Sequence, residues 1–330
     1  MSKRVRAAIV GVGAYLPDRI LSNADLERMV DTSDEWITRR TGIKERRIMA
    51  PEESTATMAT EAGRRACREA GLDPSELDLV VVATITPETL CPATACYVQR
   101  DLGATKAAAF DVTAACSGFV YGLACARGMI ENGQCRNALV IGAEALSRFT
   151  DYTDRSSCIL FGDGAGAVVL QASTDPDRGV LYTVLHADGS GWNYIWTPAG
   201  GSKMPASAQT VADRMHYLRI RGREVYKFAV EKMQWLLEHC MQAAGLTPQD
   251  VDLVVPHQVN IRIIDSATER LGFPREKVFV NIERYGNTSA ASIPIALREA
   301  IDSGRIRRGS TVLLVAFGAG LTWAGAVVKM

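Results

Sequence analysis

Residues 70–81 of this chain, Ala70-Gly-Leu-Asp-Pro-Ser-Glu-Leu-Asp-Leu-Val-Val81, return 174 residues later as Ala244-Gly-Leu-Thr-Pro-Gln-Asp-Val-Asp-Leu-Val-Val255. Each copy follows an amphipathic helix pattern, roughly 54–70 and 222–243. In each, glycine (Gly71, Gly245) stops the helix, and a buried strand follows a short polar turn. The series continues in order. Asp101-Leu-Gly103 precedes an apolar strand at 107–112, and Arg270-Leu-Gly272 precedes one expected at 277–282. Ala138–Gly142 pairs with Val312–Gly318, and Gly166–Val169 with Gly325–Val328. An ordered series of matches marks a duplicated unit.

The chain therefore divides into an N-terminal half, 1–174, and a C-terminal half, 175–330, each reading β-α-β-α-β-α-β-β. Val5–Gly13 and Gly179–Ala187 are the opening strands. Alternating strands and helices imply an α/β fold with mixed, mainly parallel sheets covered by helices. Two such halves stack into an internally duplicated α/β/α/β/α layered sandwich. A single doubly wound sheet leaves the repeat unexplained.

With 47% apolar and 22% charged residues, the chain has ample material for a large core. Its formal net charge of +0 gives no electrostatic ground for nucleic acid or a membrane surface as the main partner. No apolar run approaches the length of a membrane span. Met1–Gly13 holds three basic residues and only a short apolar stretch, Ala7–Val10, which reads as a first strand and not a signal segment. The eight cysteines include no C-x-x-C pair, and the four histidines do not cluster with them. A reducing cytoplasm and no metal centre are expected.

Three residues stand out as candidates for chemistry. Cys116, in Phe110-Asp-Val-Thr-Ala-Ala-Cys-Ser-Gly-Phe119, lies between an apolar strand and a helix running to about Ile130. A helix start offers free N–H groups and the positive end of the macrodipole, so a lowered thiol pKa is expected there. The other cysteines read as small hydrophobes. His257 ends the strand Leu253–His257, where the first half has Ala83-Thr84, and the carboxyl edge of such a sheet is where ligands collect. Asn287, in Arg284-Tyr-Gly-Asn-Thr-Ser-Ala-Ala-Ser292, holds nearly the place in the second half that Cys116 holds in the first. A pseudo-twofold then brings both to one site. Phe161–Gly166 and Phe317–Gly320 are glycine-rich but complete no phosphate loop; they read as tight turns whose N–H groups serve as oxyanion donors.

Cys116 in A-A-C-S-G-F, His257 in P-H-Q-V-N, Asn287 in Y-G-N-T-S-A-A-S and the terminal A-F-G-A-G-L-T-W resemble the β-ketoacyl-(acyl-carrier-protein) synthase III family. So do D-E-W-I-T-R-R-T-G-I (34–43) and F-G-D-G-A-G-A (161–167), and the resemblance spans essentially the whole chain. It implies the thiolase fold and an acyltransferase that initiates type II fatty acid synthesis. An acyl-CoA primer would condense decarboxylatively with malonyl-acyl-carrier-protein, with no cofactor. Cys116 would hold the acyl group, and His257 and Asn287 would stabilise the malonyl enolate. The backbone N–H groups of Cys116 and Ala319 would form the oxyanion hole. By the same resemblance Trp36, Arg40, Arg155, Gly222 and Asn260 contact CoA. Gln258, Val259, Asn260, Ile261 and Arg262, with Lys227, would form the acyl-carrier-protein docking surface. Cys91 and Phe317 bound the acyl pocket, Cys91 by closing the pocket of the other subunit of a homodimer. A hydroxymethylglutaryl-CoA synthase, a relative on the same fold, needs a carboxylate base, and the sequence shows no candidate. A catalytically silent acyl-CoA-binding protein would not need the complete Cys/His/Asn set.

Overall fold

A computed structural model describes residues 5–330; Met1–Arg4, the start of the segment read above as leading into the first strand, lie outside the described residues. The first half begins with β1 (Arg6–Tyr15). An excursion follows, containing β2 (Arg19–Ser22), α1 (Asn23–Glu27), α2 (Asp34–Thr41) and β3 (Glu45–Ile48). The repeat then resumes with α3 (Thr55–Ala70), β4 (Leu79–Ala83), α4 (Thr94–Leu102) and β5 (Ala108–Val112), and ends with α5 (Gly118–Glu131), β6 (Asn137–Glu144) and β7 (Gly164–Ser173). The second half opens on β8 (Gly179–Ala187) and makes its own excursion through β9 (Ile195–Trp196), α6 (Ala208–Ala212) and β10 (Arg219–Ile220). It continues with α7 (Gly222–Ala244), β11 (Leu253–Pro256), α8 (Ile261–Glu269), α9 (Ile282–Tyr285) and α10 (Ser292–Asp302), and closes on β12 (Thr311–Gly318) and β13 (Thr322–Lys329). Gly71 and Gly245 end α3 and α7 at φ 63° and 68°, a left-handed conformation that costs glycine little.

The duplication is visible in the sheets. The first runs β1-β7-β6-β4-β5 and the second β8-β13-β12-β11, the same order with the last place missing. The strand expected at 277–282 is reduced to one parallel bridge between Val254 and Val278. Its ladder is interrupted because the Gln258 side chain replaces a neighbouring backbone. Gln258 Nε2 donates to Phe279 O (3.1 Å) and Oε1 accepts from Asn281 N (3.0 Å). Parallel pairing is also less prevalent than expected: β4 with β5 and β6, and β11 with β12. The last strand of each half, β7 or β13, pairs antiparallel on both sides.

All five residues of β4 are buried, which requires cover on both faces. Leu79 and Val81 face a central cluster built with α5, α10 and the inner face of the second sheet. Val80 and Val82 face a separate cluster under α3 and α4. A third cluster lies between the second sheet and α7 and α8. The central cluster fills both interfaces of the α5 and α10 layer and the other two clusters fill the outer ones, so the four interfaces of the expected α/β/α/β/α sandwich are apolar and both halves share the central core. Residues of α2, and of β9 and β10, then wall a cavity above the strand ends. Trp36 and Arg40 of the first excursion are expected at the site from the resemblance, whereas Ile195 and Ile220 of the second are not.

Candidate active site

The pseudo-twofold brings together two short turns at the carboxyl ends of the strands. Ala115–Ser117 precedes α5 and Ser289–Ala291 precedes α10. Each turn is entered by a non-glycine residue in the left-handed region, Ala115 at φ 47° and Ser289 at φ 48°. Such strain persists where surrounding structure holds it. The residue equivalent to Cys116 is therefore Ala290, and Asn287 stands three positions before it. Each turn is approached by a strand of the opposite half. A Cβ on Gly318 of β12 would lie 2.6 Å from Cys116 N, and one on Gly142 of β6 would lie 2.1 Å from Ala290 O. Both positions need glycine because backbone passes where a side chain would stand.

Cys116 sits in the single turn before α5, which begins at Gly118. Its thiol faces the floor of a cavity of about 980 Å³. The lowered thiol pKa expected from a helix start is not found. Burial pushes the thiol up to about 12, the Ser289 hydroxyl opposes the shift, and the nearby Glu144 carboxyl adds to it. Desolvation of the charged form exceeds what one short turn supplies. The resting thiol is neutral.

His257 extends β11 by one residue, its N–H donating to Val315 O at 2.8 Å. The ring is fully buried, and burial lowers its pKa to about 3, so the imidazole is neutral. Its tautomer follows from its neighbours. Ser292 Oγ accepts from Gln258 N (3.4 Å), and among the described residues its hydroxyl has no acceptor other than His257 Nδ1, at 2.7 Å, so its hydrogen is assigned there. Nδ1 is then the acceptor and Nε2 carries the proton. Among the described residues His257 Nε2 has no partner, and His257 lines the cavity. Asn287 is fixed in the same manner. Its Oδ1 accepts from Ser289 N (2.8 Å), which leaves the Nδ2 group free to donate. Its backbone is tied on both sides, Asn287 N to Leu160 O and Gly162 N to Asn287 O. Two unspent neutral donors thus line the same cavity as the thiol.

The two glycine-rich segments differ in role. In Phe161–Gly166 the N–H groups of Gly162 and Asp163 donate to Asn287 O and Arg47 O, so that segment holds Asn287 and is no oxyanion hole, contrary to expectation. In Phe317–Gly320, Gly318 lies against Cys116 N, and Ala319 lines the cavity beside it. Neither Cys116 N nor Ala319 N is a donor in the turn and loop hydrogen bonds of the described residues. Phe317 meets the His257 ring edge-on, centroids 5.8 Å apart.

The other expected residues are distributed along and beyond the cavity. Trp36, Arg40, Arg155, Gly222, Val259, Asn260 and Arg262 line it. The Trp36 ring is engaged by both Arg40 (5.2 Å) and Arg155 (5.1 Å). Arg223, with Arg40, Arg155 and Arg262, makes four guanidinium groups in the lining. Asn260 caps α8, accepting from Arg262 N at 2.9 Å and donating to Arg40 O at 3.0 Å. Gln258 is misplaced in a docking surface: it is 1% exposed, and its amide serves the backbone around Phe279. Ile261 is half-buried, and Lys227 is exposed outside the cavity lining. Cys91 is exposed beside Leu90, away from this chain's own cavity.

Four residues escaped the sequence reading. Ser292 sets the histidine tautomer, and Gly318 admits the Cys116 turn. Ser289 belongs to the turn that packs against the Cys116 turn and lines the same cavity. Glu144, at the end of β6 and fully buried, lies behind Ser289, whose hydroxyl donates to its Oε1 at 3.0 Å. The only sequence signal for Glu144 was a charge closing an otherwise apolar strand.

A thiol that shares one cavity with two neutral donors, at the meeting point of a duplicated five-layer fold, is the arrangement of a thiolase-fold condensing enzyme. Family descriptions of 3-oxoacyl-[acyl-carrier-protein] synthase III match residues 110–189 and its C-terminal part matches 241–330. The β-ketoacyl-[acyl-carrier-protein] synthase III of Caldanaerobacter subterraneus subsp. tengcongensis is 53% identical over 329 residues, covering 100% of this chain and 99% of that protein. The corresponding protein of Symbiobacterium thermophilum is 53% identical, covering 97% of each. The crystal structure of 3-oxoacyl-[acyl-carrier-protein] synthase III from Aquifex aeolicus superposes with a TM-score of 0.91 at 49% identity, covering 98% of this chain and 100% of that one. The chain belongs to the β-ketoacyl-[acyl-carrier-protein] synthase III family.

Proposed function

We propose that Cys116, His257 and Asn287 carry the reaction of this family, the condensation of an acyl-CoA primer with malonyl-acyl-carrier-protein that initiates fatty acid synthesis. Cys116 attacks the primer thioester, CoA leaves, and the acyl group stays on sulfur. The tetrahedral oxyanion is held by the N–H groups of Cys116 and Ala319. Malonyl thioester then enters and loses CO₂. The enolate oxygen accepts from His257 Nε2–H and Asn287 Nδ2–H, and its carbon attacks the acyl-cysteine to give the 3-oxoacyl product. The observation that carries this reading is the pair of free donors in the cavity that holds the thiol. A neutral imidazole fixed as an Nε2–H donor suits an enolate better than it suits a base.

Nucleophile and donors all come from the chain, so the chemistry requires no cofactor. Four arginines in the cavity lining supply charge for the phosphates of CoA, and a base entering at Trp36 exchanges a guanidinium contact for a stack. The exposed Arg262 and Lys227 offer an acidic carrier protein a basic surface. A homodimer in the cytoplasm is the expected form. The edge strand β5 is incompletely covered, and Leu90, 87% exposed, stands beside Cys91 on the loop that would cross to the partner. Incubation with acetyl-CoA followed by intact-mass measurement tests the assignment. Wild type gains one acetyl group and Cys116→Ala gains none; an acetylated Cys116→Ala protein refutes it.

A further inference from the structure

Acylation leaves one proton without a destination. The resting thiol is neutral, and its hydrogen must go elsewhere before sulfur attacks. Among the described residues no carboxylate lines the cavity; its charged side chains are Arg40, Arg155, Arg223 and Arg262. His257 presents Nε2–H, and its one lone pair, on Nδ1, is taken by the Ser292 hydroxyl. Behind the cavity wall, however, lies a carboxylate oriented wholly as an acceptor.

Glu144 Oε2 accepts from Thr86 Oγ1 (2.7 Å), Thr84 Oγ1 (3.3 Å) and Ile85 N (3.2 Å), and Oε1 accepts from Ser289 Oγ (3.0 Å). Each threonine hydroxyl is held in that sense by its own backbone donor. Ala145 N donates to Thr86 Oγ1 at 2.8 Å and Thr86 N to Thr84 Oγ1 at 3.0 Å. With its hydrogen on Glu144, Ser289 Oγ keeps its lone pairs free to accept, and its turn packs against the Cys116 turn with both residues lining the same cavity, the arrangement that lets a proton pass from sulfur to carboxylate.

We propose that Glu144 takes up the Cys116 proton during acylation, with the Ser289 hydroxyl as relay. The inference rests on the reading of Cys116 as the acyl-accepting nucleophile. The S–H bond breaks as its proton moves to Ser289 Oγ, and the serine proton moves to Glu144 Oε1. Sulfur bonds to the thioester carbonyl carbon, and the tetrahedral adduct expels CoA as its thiolate. The proton returns from Glu144 through Ser289 to the departing sulfur. One thiol and one thioester are consumed and one of each is formed, so the step balances.

Burial holds the Glu144 carboxyl up to about 7, against the four hydrogen bonds that favour its charge, which suits an acceptor working near neutrality. The groups facing it are Thr84, Ile85 and Thr86 after β4, Ser289 before α10, and Cys116 before α5; of these only Cys116 titrates. Asp163, beside the same strand end at the head of β7, spends its carboxylate on Met49 N and on Ser147 N and Oγ.

Rapid-quench acylation by acetyl-CoA, read by intact mass across about pH 5.5 to 9, tests the relay in wild type, Glu144→Gln and Ser289→Ala. The wild-type rate is expected to rise with pH through one inflection near neutrality. In Glu144→Gln acylation falls by about 10²-fold and the inflection disappears. Ser289→Ala, which leaves the other three donors to the carboxylate in place, also loses the inflection. A merely structural role would lower the rate and leave the pH profile unmoved. Wild-type inflections in both variants overturn the proposal. No adduct on the wild-type enzyme instead overturns the nucleophile assignment, and this inference with it.

Discussion

Gly318→Ala places a methyl group where the end of β12 passes the Cys116 turn. The new Cβ would stand 2.6 Å from Cys116 N, 3.1 Å from Ala115 Cβ and 3.2 Å from Cys116 Cβ, whereas ordinary contact begins at 3.4 Å. The tightest neighbour is backbone, so no rotamer relieves it, and the two segments must separate by about 0.8 Å, the shortfall from that contact distance. Overpacking of this kind costs about 1–3 kcal/mol of stability. The catalytic cost is more specific. Cys116 N and Ala319 N, the two proposed oxyanion donors, belong to the two segments in contact, so the separation widens the proposed hole itself. A misplacement near 1 Å costs on the order of 10² in rate. Stopped acylation with acetyl-CoA and intact-mass detection should show that loss, while thermal unfolding shows only a modest drop. Iodoacetamide alkylation of Cys116, which builds no oxyanion, should be little changed. Wild-type acylation by Gly318→Ala would refute the argument that these two amides form the hole.

Because His257 is held neutral, with its pKa lowered by burial to about 3 from 6.5, the unfolded chain takes a proton that the native one refuses as pH falls from 6.5 toward 3. Its contribution to stability is present above pH 6.5 and lost through that window, so denaturant unfolding at pH 7.5 and 5 should show a smaller acid loss in His257→Gln than in wild type; equal losses would count against it. Arg262→Glu should weaken use of malonyl-carrier-protein more than use of acyl-CoA, by a factor that shrinks as salt rises, and equal losses would indicate general damage. Cys91→Phe should shift primer preference from isobutyryl- and hexanoyl-CoA toward acetyl-CoA, at about 0.8 kcal/mol per methylene no longer buried; an unchanged ranking means that Cys91 does not bound the partner's pocket.

The duplicated architecture was legible because repeated helix stops and apolar strands are local signals. Gly71 and Gly245 are the same device used twice, and both take left-handed φ. The missing fifth strand was not legible. The pattern at 277–282 is that of a strand, and only the fold brings the Gln258 amide into its ladder. That Cys116, His257 and Asn287 gather in one cavity was legible from their positions, and the ionisation of Cys116 was not. A helix-start argument counts dipoles, whereas burial depth, set by packing of both halves, dominates. Glu144 was hidden for a related reason. It meets Ser289 across 145 residues of chain, a pairing created where one half's strand end meets the other half's turn. Gln258 is expected on the docking surface from the resemblance alone, yet it is drawn inward to satisfy backbone that would otherwise lack partners.

The central claim is that Cys116 accepts the acyl group while His257 and Asn287 serve the later decarboxylation. It is tested most directly by measuring both half-reactions in His257→Ala and Asn287→Ala: acyl adduct by intact mass, and CO₂ release from malonyl-carrier-protein. Each variant should still acylate Cys116, and each should lose about 10²–10³ in decarboxylation through removal of one donor. Wild-type CO₂ release in either variant, or loss of acylation with decarboxylation intact, would contradict the account.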